Sequence, residues 1–509
     1  MTAGVQEFSA EQGQPGHDIT ATLIDDLPAV RQDEWLYLLI PRSMHAIRVP
    51  ASEQAAAPWR KVLAEYPSIA TNRLYRPQGT PWGVTLVVSH RCNLSCVYCF
   101  SEVGHSTASL EVDRMLAIVD HTLAHRPAGR ARPFVVNFFG GEPTLNMPDV
   151  EQVVRHVEQA CASAGVQHSF RMVTNGTAPL SAMRFLVEHG FQLTVSMDAK
   201  PELQGPQRIY RKGLSPTQTV DTIKFLVDNG ISPRIRSTVT GETVHHMAET
   251  VAYFAGLGAT FIHFEPVGPS GTSSVGRLAR YTTPTAEDYS TNLLRALDAA
   301  RPLNAGVFGY AYQHLLSSPP KSYCEPMSGV DSYNVLNASG ELIMCPEMQD
   351  PARNDDFQHN VGRVSGRRTV TVDITRKEDV GKLAVPVQVL SCQTCYARDI
   401  CKSGCPSRNI QATGSLTKLD PYSCAVAKRV CADILGRMAQ ETFGAVAGCQ
   451  EPILRPLAMP AELCTPPIVA NAISVLQRAK IVFALTGETL APQVHTEIER
   501  LTQLAGLST

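Results

Sequence analysis

From residue 81 onward, short runs dense in β-branched and aromatic residues alternate with longer stretches whose apolar positions recur every three to four residues. The runs are GVTLVVS, PFVVNFF, HSFRMVT, FQLTVSM, PRIRSTVT and TFIHFEP, the last ending at Pro266. Each run has the length and composition of a strand, and each intervening stretch that of an amphipathic helix. Six β-then-α units in series predict an α/β fold with a parallel sheet, either open and doubly wound or closed into a complete or partial (β/α) barrel.

The pattern differs on both sides of this unit. Residues 1 to about 30 are polar and predict little regular structure, whereas WLYLLIPRSMHAIRVP (residues 35–50) predicts a β-hairpin and residues 58–65 a helix. Together, residues 1–80 make a small N-terminal α+β unit, and residues 81–300 the β/α unit. LLSSPPKSY then opens a turn-rich, cysteine-rich region, residues 301–430, of the kind that metal rather than apolar burial organises. Residues 431–509 return to a helical pattern interrupted at Pro452, Pro456 and Pro460.

Composition adds constraints. The chain has 509 residues, 44% hydrophobic, enough for a sizeable core and several domains. A formal charge of −2 gives no field that would recruit nucleic acid or an anionic membrane. The first twenty residues lack the basic and apolar regions of a secretory signal, and no apolar run approaches the ~18 residues of a membrane span, so a cytoplasmic location is expected. In a reducing compartment, the 14 cysteines point to metal binding or catalysis rather than disulfides.

The densest cysteines are Cys92, Cys96 and Cys99 in RCNLSCVYCF, just after the first strand. Three thiolates in a CxxxCxxC spacing suit a zinc ion that finds a fourth ligand elsewhere, or an iron–sulfur cluster with one iron left open. The later strands supply context. The second ends in Gly140, Gly141, Glu142 and Pro143, the third in Thr174, Asn175, Gly176 and Thr177, and the fourth in Ser196, Met197 and Asp198; the fifth carries Arg236, and the sixth ends in Glu265. The carboxyl ends of parallel strands converge on one face, which should gather these groups around the cysteine loop.

CxxxCxxC with Tyr98 before its last cysteine, followed by GGEP, TNGT and VSMD, resembles the radical S-adenosylmethionine (radical SAM) family over residues 81–300. The resemblance implies a partial (β/α)6 TIM-like barrel and a [4Fe–4S] cluster on Cys92, Cys96 and Cys99, with S-adenosylmethionine (SAM) chelating the open iron. Carried over by position, Gly140, Gly141 and Glu142 would meet the methionine amino group. Thr174 and Asn175 would also lie in the cofactor site, Ser196 and Asp198 would meet the ribose or carboxylate, Tyr98 the adenine edge, and Arg236 the carboxylate. Ala199 follows Asp198 where the family often has glycine.

The remaining regular cysteines read C-x15-G-x4-C from Cys324 through Gly340 to Cys345, then C-x2-C-x5-C-x3-C over Cys392, Cys395, Cys401 and Cys405, then Cys424. C-x2-C pairs by themselves also suit zinc. The arrangement is similar to the SPASM extension found after radical SAM barrels. That implies two auxiliary [4Fe–4S] clusters, three clusters in all, with Cys324, Cys345 and Cys405 on the first auxiliary cluster and Cys392, Cys395, Cys401 and Cys424 on the second. Cys431, Glu347 or a substrate group could complete the first. Sulfatase maturases carry an aspartate directly after the second of these cysteines; here Pro346 and Glu347 follow Cys345, and Glu347 is the candidate catalytic base. The expected activity is oxidative modification of a ribosomally made peptide or protein segment, with crosslinking foremost; sulfatase-type maturation and small-molecule dehydrogenation are the alternatives. The expected partners are that substrate and a flavodoxin- or ferredoxin-type reductant, with the N-terminal unit offering a sheet edge to a leader peptide.

Overall fold

The computed structural model describes residues 19–24, 27–40, 45–65, 80–99, 108–126, 131–211, 213–268, 281–310, 333–347, 360–366, 368–383, 392–401, 404–415, 418–443 and 453–456. Cys324, Cys449, Cys464 and the helical stretches expected beyond residue 465 lie outside these residues.

The N-terminal unit begins earlier than its polar sequence suggests. β1 (Thr20–Ile24) and β2 (Leu27–Gln32) precede the expected hairpin of β3 (Trp35–Ile40) and β4 (His45–Pro50). These four strands pair antiparallel in chain order, so the loose segment expected up to residue 30 is ordered from Thr20. Side-chain alternation buries both faces. Leu36, Leu38, Ile47 and Val49 pack with Trp59 of α1 (Trp59–Glu65), while Val30, Tyr37, Leu39 and Ala46 join the main core.

All six expected strands form: β5 (Thr80–Ser89), β7 (Ala131–Gly140), β8 (His168–Thr174), β9 (Gln192–Ser196), β11 (Arg234–Val239) and β12 (Phe261–Pro266). They pair parallel in chain order, separated by α2 (Val112–Ala124), α3 (Met147–Ala164), α4 (Leu180–Glu188), α5 (Pro201–Gln207), α6 (Pro216–Asp228) and α7 (Met247–Gly256). α8 (Ala286–Ala300) then leads to a seventh parallel strand, β13 (Gly306–Gly309), whose four residues are too short to show a pattern. Phe170, Met172, Leu193, Val195, Ile235, Ile262 and Phe264 face the helices in the main core. The alternate positions, among them Arg171, Thr194, Arg234, Arg236, His263 and Glu265, face the concave side.

Two short strands sit above this sheet: β6 (Leu94–Cys96), inside the cysteine loop, pairs with β10 (Arg208–Tyr210). The cysteine-rich region is built onto the opposite sheet edge. β14 (Tyr333–Leu336) pairs parallel with β5, and β15 (Glu341–Ile343), β16 (Asn360–Val364) and β17 (Val370–Val372) continue antiparallel. After α9 (Ile374–Leu383) come α10 (Arg398–Cys401), α11 (Pro406–Thr413) and α12 (Pro421–Phe443). β18 (Ile453–Pro456) returns to pair with β4, a strand where only proline breaks were expected.

Candidate functional site

The cysteine loop is clamped by the glycines that follow β7. Gly141 N–H donates to the Ser89 carbonyl at 2.7 Å and Glu142 N–H to the Arg91 carbonyl at 2.9 Å. A Cβ on Gly141 would lie 2.3 Å from the Arg91 carbonyl oxygen, and one on Gly140, at φ +142°, 2.4 Å from that of Ser89. Only glycine allows this approach. The Glu142 carboxylate is buried and accepts from Thr144 N–H and Oγ1, from Thr174 Oγ1 at 2.8 Å and from Asn175 N–H at 2.7 Å. Burial pushes its pKa up, and these donors oppose the shift. GGEP and TNGT therefore act as one latch between neighbouring strand ends.

Asn175 extends the latch to the loop: its Nδ2 donates to Asn93 Oδ1 at 2.8 Å and lies 3.8 Å from Cys92 Sγ. Leu94 N–H points at the same sulfur at 3.4 Å. On the other flank, Arg208 from β10 reaches to 4.0 Å from Cys96 Sγ and pairs with Asp198 at 2.8 Å. Asp198 also accepts from Tyr98 Oη and from Thr238 N–H at 2.9 Å, while its own N–H donates to Gln204 Oε1 at 2.7 Å. The Asp198 side chain, two residues beyond the end of β9, is completely buried and held by these protein groups, whereas Ser196, the last residue of β9, is half-buried. Arg208 and Gln204 escaped the sequence reading because they lie between two units without a recognisable pattern.

Cys92, Cys96 and Cys99 are neither fully buried nor fully exposed. Burial pushes the thiols of Cys92 and Cys96 up to about 12, so a thiolate here needs a positive partner such as iron. The donors around the sulfurs suit thiolates. Among the described residues, no three His, Cys, Asp or Glu groups converge closely enough for a single metal ion. Arg236, on the concave face, lies 3.3 Å from His263 Nδ1 and 4.0 Å from Glu265.

In the cysteine-rich region, Cys392, Cys395, Cys401 and Cys424 line one cavity together with Arg398, Asp420 and Lys428. Cys392 and Cys395 come from a tight turn, Cys401 from α10 and Cys424 from the first turn of α12, where Asp420 caps Ser423. The four-thiol set expected for the second auxiliary cluster thus shares one space. Cys431 is buried, and its pKa is raised by burial and then by the neighbouring Cys401 and Cys395 of this set.

Cys345 follows a hairpin whose turn places Gly340 at φ +81°, a conformation that favours glycine. Gln411 Nε2 of α11 donates to the Glu347 carbonyl at 3.1 Å, tying that turn to the helix that Cys405 begins. Arg408 of α11 reaches back into the barrel, pairing with Glu265 at 2.8 Å and lying over the Tyr310 ring at 5.2 Å. Cys161 is a buried core residue of α3, as expected of an ordinary small apolar side chain.

Residues 86–254 match the family model of the radical SAM superfamily. An uncharacterized protein of Methanocaldococcus jannaschii is 24% identical over 274 residues, 52% of this chain and 84% of that protein. The serine-type anaerobic sulfatase-maturating enzyme of Klebsiella pneumoniae is 23% identical over 335 residues, 64% of this chain and 81% of that enzyme. The solved structure of native anSMEcpe with bound AdoMet and Cp18Cys peptide superposes with a TM-score of 0.58 at 20% identity, covering 71% of this chain and 99% of that one.

Proposed function

We propose that this chain, a radical SAM protein of the SPASM type, oxidatively modifies a peptide or protein segment, joining side chains of its substrate. The observation carrying the proposal is the three-thiol loop clamped at the carboxyl mouth of a partial barrel, with a separate four-thiol cavity downstream.

Cys92, Cys96 and Cys99 would hold the SAM-binding [4Fe–4S] cluster. Asn175, the Leu94 N–H and Arg208 would temper the charge on its sulfurs. Ser196 and Arg236 would take the SAM carboxylate, and Tyr98, whose hydroxyl is held by Asp198, would present its ring to adenine. When bound, the cluster and SAM supply a 5′-deoxyadenosyl radical, and auxiliary clusters on Cys324, Cys345 and Cys405 and on Cys392, Cys395, Cys401 and Cys424 supply an electron acceptor. Such a radical reacts with the first hydrogen it meets, so the site would have to hold the substrate hydrogen nearest to it. Glu347 would accept the proton released as the substrate is oxidised, and a flavodoxin- or ferredoxin-type protein would deliver electrons.

A second reading, sulfatase-type maturation, is supported by the likeness to the Klebsiella sulfatase-maturating enzyme and would be told apart by the product, an aldehyde side chain that an aldehyde-reactive probe labels and a crosslink does not. The leader-binding role proposed for the N-terminal sheet is narrowed by its topology: the β4 edge is paired with this chain's own β18, so among the described residues the edges left are those of β1 and β18.

The test is anaerobic. Reconstituted protein with reductant and SAM should release 5′-deoxyadenosine, and Cys96→Ala should abolish this while iron remains on the downstream cysteines; continued release by the variant would refute the assignment.

A further inference from the structure

The concave face of the barrel holds a cationic patch to which neither the expected SAM contacts nor the cysteines give a use. Arg171 of β8 and Arg234 of β11 flank β9, in register with Gln192 and Thr194, on the strand face opposite the helices. Both side chains are exposed. Arg171 donates to Gln192 Oε1 at 3.2 Å, and Arg234 lies over the Phe261 ring at 4.7 Å. Among the described residues, neither has a carboxylate partner. Glu265, an acid of this face, sits four residues further along β12 than Phe261, which is in register with Arg234, and it is already paired with Arg408.

Two guanidinium groups so placed repel each other. Desolvation first, and then the charges of Arg171 and Arg236, push the Arg234 pKa below its ordinary value. An anion would relieve that repulsion, and a carboxylate matches the guanidinium fork. Arg234 lies two residues, ~7 Å, below Arg236 along β11, and Arg171, in register with Gln192, lies four residues, ~13 Å, below Ser196 along β9, within the length of a short extended peptide. A peptide whose reacting residue sits at the mouth could therefore place a nearby acidic residue here.

We infer that Arg171 and Arg234 form a subsite for an aspartate or glutamate side chain of the substrate peptide. The inference rests on the peptide-modifying reading above and adds a sequence requirement to it: an acidic residue close to the one modified. Arg171 and Arg234 select the substrate by charge and take no part in the chemistry.

The test uses full-length reconstituted protein with SAM under anaerobic conditions and a fluorescein-labelled, capped Gly-Ser peptide with two adjacent aspartates, beside its asparagine counterpart. Anisotropy should show the aspartate peptide binding at least ~10-fold more tightly, a preference that fades at high salt. The double variant Arg171→Gln/Arg234→Gln, checked for an unchanged melting temperature, should lose that preference; a preference for aspartate retained by the double variant would overturn the inference. So would equal binding of the two peptides to the unaltered protein, or tighter binding of a single-stranded oligonucleotide than of the aspartate peptide. Release of 5′-deoxyadenosine by the unaltered protein is measured in the same preparation, so a failure of the subsite is distinguished from a failure of the radical SAM reading.

Discussion

The residues that give the site its shape are largely not those that would touch the cofactor. Asp198 and Arg208 form a buried ion pair, with side chains 0% and 8% exposed, between the fourth strand and the strand paired with the cysteine loop. Asp198→Ala leaves Arg208 buried and unpaired and should cost ~3 kcal/mol, read as a fall in thermal midpoint. Tyr98→Phe removes one donor to that carboxylate and should cost about 1–2 kcal/mol in the same assay. Gly141→Ala forces a Cβ onto the Arg91 carbonyl, so its iron content after reconstitution should drop by the share bound at the cysteine loop. Gly256→Ala, with nothing within 4 Å, should leave iron content unchanged. The motif residues Gly140, Gly141, Glu142, Asn175 and Asp198 stood out in the sequence because they recur at strand ends. Arg208 did not, since nothing local marks an arginine whose partner lies ten residues earlier and whose burial depends on a pairing between distant loops.

Among the elements, the six strands of the parallel sheet were legible because each carries a run of apolar residues long enough to read. β13 and β18, four residues each, carry no such signal and form because neighbouring strands offer open edges. β1 and β2 were missed for a related reason: their sequences, TATLI and LPAVRQ, are mixed, and only pairing with the hydrophobic β3 orders them. The pairing of β18 with β4 makes a prediction of its own. Truncation before Ile453 should expose the β4 edge, lower the thermal midpoint and promote self-association visible by size-exclusion chromatography. An unchanged elution profile and midpoint would mean that β18 contributes little to the sheet.

Across the whole molecule, one sheet and one helix relate the two cysteine regions. β5 runs into the Cys92 loop while its neighbour β14 leads through β15 to Cys345, so both sites hang on strands of one sheet, with β14 between them. α12 carries Cys424 at its start, is anchored to α8 by Ser290 and Asp433 at 2.7 Å, and ends where Phe443 meets Tyr37 of the N-terminal sheet, ring centroids 5.6 Å apart. The spacing of the cysteines announced these groups, but nothing in the sequence announced that a shared sheet would fix their relative positions. The central claim is that the loop of Cys92, Cys96 and Cys99 holds an iron open to SAM, and electron paramagnetic resonance of the anaerobically reduced protein tests it most directly. Adding SAM should alter the signal of one cluster in the unaltered protein and leave the signal of a Cys92→Ala/Cys96→Ala/Cys99→Ala variant unchanged although it still contains iron; a reduced, iron-loaded protein whose spectrum ignores SAM, or a colourless protein containing only zinc, would contradict it.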